Sequence, residues 1–402
     1  MTTSAGVGRS DRTSGRVAGA EAATSAIAAT AGGPPALCLV FGTSGYDPHE
    51  LLAGVRESAP SALIAGCSGE GIIAGSRSDE GERAVVVLAV SSGALHFDAT
   101  MIESYGTDSA QAGRTIAAWA NDCGLDDALA LLVFPDGLTG DCSAMLAALH
   151  DGLPSGVPVV GGAAGDAMLL QQTWQYCRDR VASGAITAVL MRGRGSFEIS
   201  LSHGCTGIGL PRQVTEASGG WLRTIDGRAA WSVLREYLDG EPAGLDGEGI
   251  SHVSFAEELG DSLPDDYGRF VVRTPLGLEA ASGALFLPGG GIAPGTRIRL
   301  VRRDPELIRY SARSCAERIA ARHAGRRPAF VLQFDCAGRG KSLFGSSVAE
   351  EIVHPLQQAL GAEVPWAGFH TYGEIGPLGG RSRYHNYTVA LCAFYDDVSP
   401  GA

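Results

Sequence analysis

The 402 residues include 31 basic and 44 acidic side chains, for a net charge of −13, with 45% apolar and 19% charged residues. An acidic surface repels phosphate backbones and argues against nucleic acid as a partner. The apolar share supports a large core, yet the longest apolar runs, at 84–90 and 128–134, are far too short to span a bilayer, so no membrane insertion is expected.

Nine cysteines occur without C-x-x-C or zinc spacing. They read as small buried hydrophobes in a reducing compartment, which predicts a cytoplasmic protein. Residues 1–35 are rich in Ala, Gly, Ser and Thr and lack a continuous apolar stretch, so a mobile tail is expected there. A buried-strand run at 37–41 follows, ending in Gly42-Thr43-Ser44-Gly45. Asp47 and Pro48 are an N-cap and N1 pair opening a helix to about Ser58. Strands are predicted at 63–65, 84–90 and 95–101, then a helix at 108–123 stopped by Gly124. A strand at 128–134, a loop at 135–141, a helix near 142–150 and a strand at 157–160 come next. A hairpin arm at 169–181 returns through 186–191, and 197–203 alternates like a strand.

Near residue 210 the first half is expected to end. Strands at 214–217 and 221–225 open the second half, and the turn Asp226-Gly227-Arg228 feeds a helix at 229–238. A Gly- and acid-rich loop covers 239–251, and strands follow at 270–273, 284–287 and 297–300. Asp304-Pro305 starts a helix to about Ala324, with Ile308, Ala312, Cys315 and Ile319 as its apolar stripe and His323 as a surface residue in its last turn.

An internal repeat organises these elements. Strands at 36–41, 128–134 and 329–334 each precede a helical segment. Pro60, Pro158 and Pro365 each then open a short strand closing on a glycine turn with an acid, Glu70, Asp166 or Glu374. Glu70 to Ala84 and Glu374 to Thr388 are the same distance apart, which suggests one register. The predicted fold is mixed α/β, with pseudo-symmetric strand–helix–strand–turn–strand units, sheets covered by helices, and two halves. At such repeat positions a carboxylate is expected to cap neighbouring turn amides, with one copy recruited to a ligand.

Asp335-Cys336-Ala337-Gly338-Arg339-Gly340-Lys341-Ser342 invites a phosphate-loop reading. Asp335 stands where that motif needs glycine and would repel phosphates, so a nucleoside triphosphate site is rejected. Arg339 can still grip a carboxylate or phosphate with its planar fork, or pair structurally with Asp335 or Glu374. Cys336, with His370 or His385 as base, has the residue types of a cysteine-nucleophile hydrolase, against a plain buried thiol. The histidines form no metal-binding spacing. His203, His370 and His385 flank strand ends and glycine turns, where a neutral imidazole could hold haem iron, walled by Trp366, Phe369 and Tyr372.

Several of these stretches together resemble the FIST family, with its FIST N and FIST C regions. In the first half they are Gly66-Cys67-Ser68, Phe134-Pro135-Asp136-Gly137, the run from Val160 to Asp166, Ser202-His203-Gly204-Cys205 and Ile225-Asp226-Gly227-Arg228-Ala229. In the second they are Cys336-Ala337-Gly338-Arg339, the run from Gly368 to Ile375 and His385-Asn386-Tyr387-Thr388. The resemblance covers roughly 36–396. It implies a FIST N-like domain at 36–210 and a FIST C-like domain at 211–396, with tails at 1–35 and 397–402.

It further implies a non-catalytic sensory input protein that binds a small molecule, with amino acids or similar anionic metabolites among the expected ligands. Output would pass to a separate histidine kinase or cyclase. Arg339, Tyr372, Glu374, Cys336 and His370 are the expected ligand contacts. Some stand-alone members are haem-binding nitric-oxide sensors, which leaves haem open as a cofactor, with His370 ahead of His203 and His385 as axial ligand.

Overall fold

The computed structural model describes residues 2–31, 33–238, 253–260 and 270–397. The expected loop at 239–251 lies outside the described residues, as does the expected C-terminal tail apart from Asp397.

Three copies of one unit build the molecule. The first comprises β1 (Ser4–Ser10), α1 (Gly15–Ala28), β2 (Leu37–Thr43), α2 (Pro48–Ser58) and β3 (Leu63–Gly69). A short arm, β4 (Gly71–Ala74) and β5 (Arg77–Asp79), precedes its last strand, β6 (Val85–Ser91). The second repeats the order: β7 (Leu95–Ile102), α3 (Ser109–Cys123), β8 (Ala128–Pro135), α4 (Cys142–Gly152) and β9 (Val159–Ala163). Its arm is β10 (Gln175–Cys177) and β11 (Arg180–Ala182), and it closes with β12 (Ile186–Gly193).

The third unit starts with β13 (Ser196–Ser202) and is then interrupted by an insertion. This holds β14 (Cys205–Ser218), β15 (Trp221–Ile225), β16 (Arg228–Ala229), α5 (Ala230–Arg235) and β17 (Val253–Glu258). It continues through β18 (Phe270–Arg273), β19 (Gly277–Glu279), β20 (Ala284–Phe286) and β21 (Arg297–Arg303). The unit resumes with α6 (Pro305–Arg322), β22 (Phe330–Cys336), the single turn α7 (Lys341–Phe344), α8 (His354–Leu360) and β23 (Trp366–Thr371). Its arm is β24 (Gly373–Leu378) and β25 (Arg381–His385), and β26 (Val389–Tyr395) ends it.

Each unit contributes four strands to its own sheet and lends its arm to another. The orders are β1-β6-β2-β3-β10-β11, β7-β12-β8-β9-β24-β25 and β13-β26-β22-β23-β4-β5. Parallel pairing is confined to β2 with β3, β8 with β9 and β22 with β23 among the described strands. Because each of these three sheets carries a foreign arm, the units cannot separate without breaking backbone pairing, while the insertion's strands form a fourth sheet of their own.

The central strands are apolar on both faces, which suits sheets buried on both sides. Leu39 and Phe41, Leu132 and Phe134, and Leu332 and Phe334 point into one shared interior. Phe41, Phe134 and Phe334 meet there with ring centroids 5.5, 6.2 and 5.8 Å apart. The opposite faces pack on helices: Val40 with α1 and α2, Val133 with α3 and α4, Val331 with α6 and α8. Asp47, Asp108, Asp141 and Asp304 cap their helices by accepting first-turn amides.

Five expectations need correction. Residues 1–35 are not a tail, since β1 pairs along β6 and α1 packs on α2. Small residues are what that packing requires. A Cβ on Gly19 would lie 2.2 Å from the Leu51 carbonyl oxygen, and one on Gly54 2.0 Å from that of Arg16. The boundary expected near 210 falls inside β14, within the insertion. Pro158 and Pro365 directly precede β9 and β23, whereas Pro60 sits in the turn after α2, ahead of the first residue of β3. Finally, the acids do not share one position. Gly66, Gly161 and Gly368 are the true repeat marks, facing Tyr176, Ile375 and Ile73 of the borrowed arms. By that register Glu374 matches Ile72 and Gln175, and the counterpart of Glu70 is Tyr372. His323 also differs from expectation: it stacks on Tyr395 at 3.7 Å and reaches Glu198 at 3.1 Å.

Candidate functional site

The C-terminal ends of the three parallel strand pairs converge, and β2, β8 and β22 each end differently. In the first, the Thr43 hydroxyl donates to the Glu82 carbonyl at 2.8 Å and accepts the Ala84 amide at 2.9 Å. In the second, Asp136 accepts from the Leu138, Thr139 and Gly184 amides and from the hydroxyls of Thr139 and Thr173, at 2.7 to 3.0 Å. Both ends are well supplied with partners. The third end carries Asp335, Cys336 and Arg339.

Arg339 is fully buried on the tight turn after β22. Its Nη1 donates to the carbonyls of Ser202 at 2.9 Å and His203 at 3.4 Å. Its Nε lies 2.9 Å from Asp335 Oδ1, an ion-pair contact without hydrogen-bond alignment, and Nη2 has no hydrogen-bond partner among the described residues. Burial pushes the Asp335 carboxyl up, against the pull of Arg339.

His370 follows on β23, beside Asp335 in register, with Nε2 2.7 Å from Ser78 Oγ and 3.7 Å from Glu80 Oε1. Burial, and then the Arg339 charge, hold its pKa down to about 3, so the ring is neutral. Ser78 and Glu80 belong to the arm lent by the first unit. Glu80 accepts the Lys341 amide at 2.7 Å, and burial raises its carboxyl to about 7.

Glu374 is enclosed, bonded to the Thr371 hydroxyl and accepting the Thr388 amide at 3.1 Å, and burial drives its carboxyl well up. Tyr372 joins all three units. Its hydroxyl is 2.7 Å from Asp166 and 2.9 Å from Glu70, and it accepts the Met168 amide at 2.8 Å. A hydroxyl has one proton to give. Asp166 also takes the amides of Leu170, Gln171 and Gln172, Glu70 takes the Met168 amide at 2.7 Å, and burial raises the Glu70 carboxyl. The acids therefore do cap turn amides, as expected.

Arg339, Cys336, His370 and Glu374 share one electrostatic neighbourhood, with Tyr372 on the adjoining inter-unit junction. Two surface depressions of about 510 and 480 Å³, beside Leu210–Gln213 and beside α1 and Trp366, contain none of these five. Sequence reasoning missed Ser78 and Glu80, for nothing local shows that this arm reaches the third sheet.

The haem arrangement does not fit. Alternation along β23 sends Trp366 to the helix side and Phe369 to the central interior, while Tyr372 packs in a third cluster, so the three cannot wall one slot. The imidazoles are tied up as well, His203 Nδ1 by the Cys205 amide at 2.8 Å and His385 Nε2 by the Gly376 carbonyl at 3.2 Å. Burial raises the Cys336 thiol far above its ordinary range, opposite to what an activated nucleophile needs. Among the described residues no three His, Cys, Asp or Glu are grouped to hold a metal, and no helix is long and apolar enough to cross a membrane. All nine cysteines are free thiols.

Fold and site together define a three-unit α/β protein with a polar cluster enclosed at its strand ends. The FIST N domain matches residues 36–228 and the FIST C domain residues 230–377, and the chain belongs to the FIST family. That membership carries a general sensory, signal-input role. An uncharacterised protein of Mycobacterium tuberculosis strain H37Rv is 31% identical over 400 residues, covering 97% of this chain and 99% of the relative. One from Mycobacterium bovis is 30% identical over 400 residues, covering 98% and 99%. Among solved structures, a chorismatase aligns over 91% of this chain and 94% of its own at 12% identity and a TM-score of 0.34. A cyanuric acid hydrolase aligns over 99% and 100% at 11% identity and 0.36. Scores this low do not establish a common fold.

Proposed function

We propose that the chain receives a small-molecule signal at the third-unit cluster and relays it to a separate output partner such as a histidine kinase or cyclase. The observation that carries this reading is Arg339, a fully buried guanidinium with Nη2 unpartnered among the described residues. Burying a cation is costly unless its donors are matched, so an anionic ligand group would relieve the site. Glu80, His370 and Glu374 frame it, and the arms binding the units together give a local change a route to distant surfaces.

Binding rather than turnover is supported by the protonated Cys336 thiol and the neutral His370 committed to Ser78. The unpaired cysteines suit a reducing, cytoplasmic setting. The test is a melting-temperature screen against metabolites, amino acids included. An anionic hit should lose on the order of 2 kcal/mol of affinity in Arg339→Gln. Hydrolytic turnover abolished by Cys336→Ala would overturn the reading.

A further inference from the structure

A second arginine, on the insertion, is placed like the first. Arg303 ends β21 and is 4% exposed. Its Nη1 donates to the Gly338 carbonyl, and its guanidinium lies over the Tyr387 ring at 4.5 Å. Nε and Nη2 are both buried and have no hydrogen-bond partner among the described residues. These two N–H groups form the side-on edge of the guanidinium, whose parallel donors match the two oxygens of a carboxylate.

The two guanidiniums clasp the same pair of segments. Arg339 holds the carbonyls of Ser202 and His203, while Arg303 holds Gly338 and pairs in register with Cys205. Cys205 lies in the field of both. Burial holds the Cys205 and Cys336 thiols and the Tyr387 phenol above their ordinary ranges and pushes the Glu374 carboxyl up as well. Among the described residues Asp335 is the one carboxylate within ion-pair distance of either guanidinium, so Arg303 has no carboxylate partner there.

We propose that the seam between the insertion and the third unit is a carboxylate site, with Arg303 clamping the carboxylate through Nε and Nη2 and Arg339 Nη2 completing the charge match. It rests on the small-molecule input reading and adds the ligand class and the second residue. One carboxylate held by both arginines ties the insertion to the core, so occupancy fastens two parts that the chain joins through 202–205 and 303–305.

The experiment uses the intact chain with sodium acetate and sodium succinate as probes against sodium chloride at matched ionic strength. Melting temperature is read first, and calorimetric titration follows with whichever salt stabilises. Expected is a saturable carboxylate response, at least tenfold weaker in Arg303→Lys, which keeps the charge but not the fork, and absent in Arg303→Met. The exposed Arg313→Gln should match wild type. Circular dichroism establishes that each variant is folded, and because Arg303→Lys preserves charge and size, it remains decisive if Arg303→Met is not. No carboxylate response in the wild type, or wild-type binding by Arg303→Lys, overturns the proposal. If binding survives at Arg303→Lys but fails at Arg339→Gln, the input reading stands without it. If neither carboxylates nor the metabolite screen elicits a response, both fall.

Discussion

In the second and third units the strands β8 and β22 end at equivalent positions with opposite results. Pro135-Asp136 closes on itself, every Asp136 oxygen matched by amides and hydroxyls of its own neighbourhood. Asp335-Cys336 instead carries buried ions whose Asp335 Oδ1 and Arg339 Nη2 lack hydrogen-bond partners among the described residues. The frame beneath them is alike: Phe134 and Phe334 meet edge to face, and Gly161 and Gly368 put an absent Cβ against the backbone of the neighbouring strand. The scaffold thus obeys one rule in each copy, and the strand end of the third departs from it. Such departures from a satisfied pattern are where function is expected.

The largest expected effect removes one partner of the buried pair. Asp335→Ala leaves Arg339 buried without its carboxylate and should cost about 4 kcal/mol in urea unfolding. Adding Arg339→Met should recover most of that loss, since the stranded charge goes with it. A second unit treated likewise lacks such a rescue.

Next, Gly161→Ala should destabilise by about 3 kcal/mol, because its Cβ would stand 2.0 Å from the Val133 carbonyl oxygen at a backbone φ of +154°. Gly66→Ala, with φ of +148° and 1.9 Å to the Val40 oxygen, should cost the same. Unequal losses would break the equivalence of the units. Asp136→Asn should cost about 2 kcal/mol, as an amide group then faces donors that need an acceptor.

The smallest effect is in pH. Glu80 titrates near 7 when folded, above its ordinary 4.5, so the folded state binds the extra proton. Stability must therefore fall as pH rises between those values. Glu80→Gln should remove that slope from denaturation curves recorded from pH 4 to 8.

Much of the frame was legible in the chain itself. The Asp47 and Asp304 caps and the apolar strand runs are local signals and landed on the elements expected, whereas the glycine stretches expected as turns run on as strand, Gly66 in β3, Gly161 in β9, Gly368 in β23 and Gly373 to Gly376 in β24. Arm exchange was not legible, because pairing β4 with β23 depends on closure of the whole assembly. For the same reason Ser78 and Glu80 gave no hint of meeting His370. Helix α1 was hidden by its own chemistry: Ala18, Ala22, Ala23 and Ala26 are fully buried, yet a stripe of alanine and glycine reads as low complexity. Arg339 was visible as a candidate from its loop. Arg303 was not, since an arginine at the end of a strand is usually solvated.

The most direct test of the central claim measures ligand-induced stabilisation in wild type, Arg339→Gln and Asp136→Asn side by side, using the strongest anionic hit of the metabolite screen. The account predicts that wild type and Asp136→Asn rise in melting temperature with the same half-saturating concentration, while Arg339→Gln needs about thirtyfold more, the equivalent of roughly 2 kcal/mol. An identical response from Arg339→Gln, or loss of the response in Asp136→Asn alone, would contradict it.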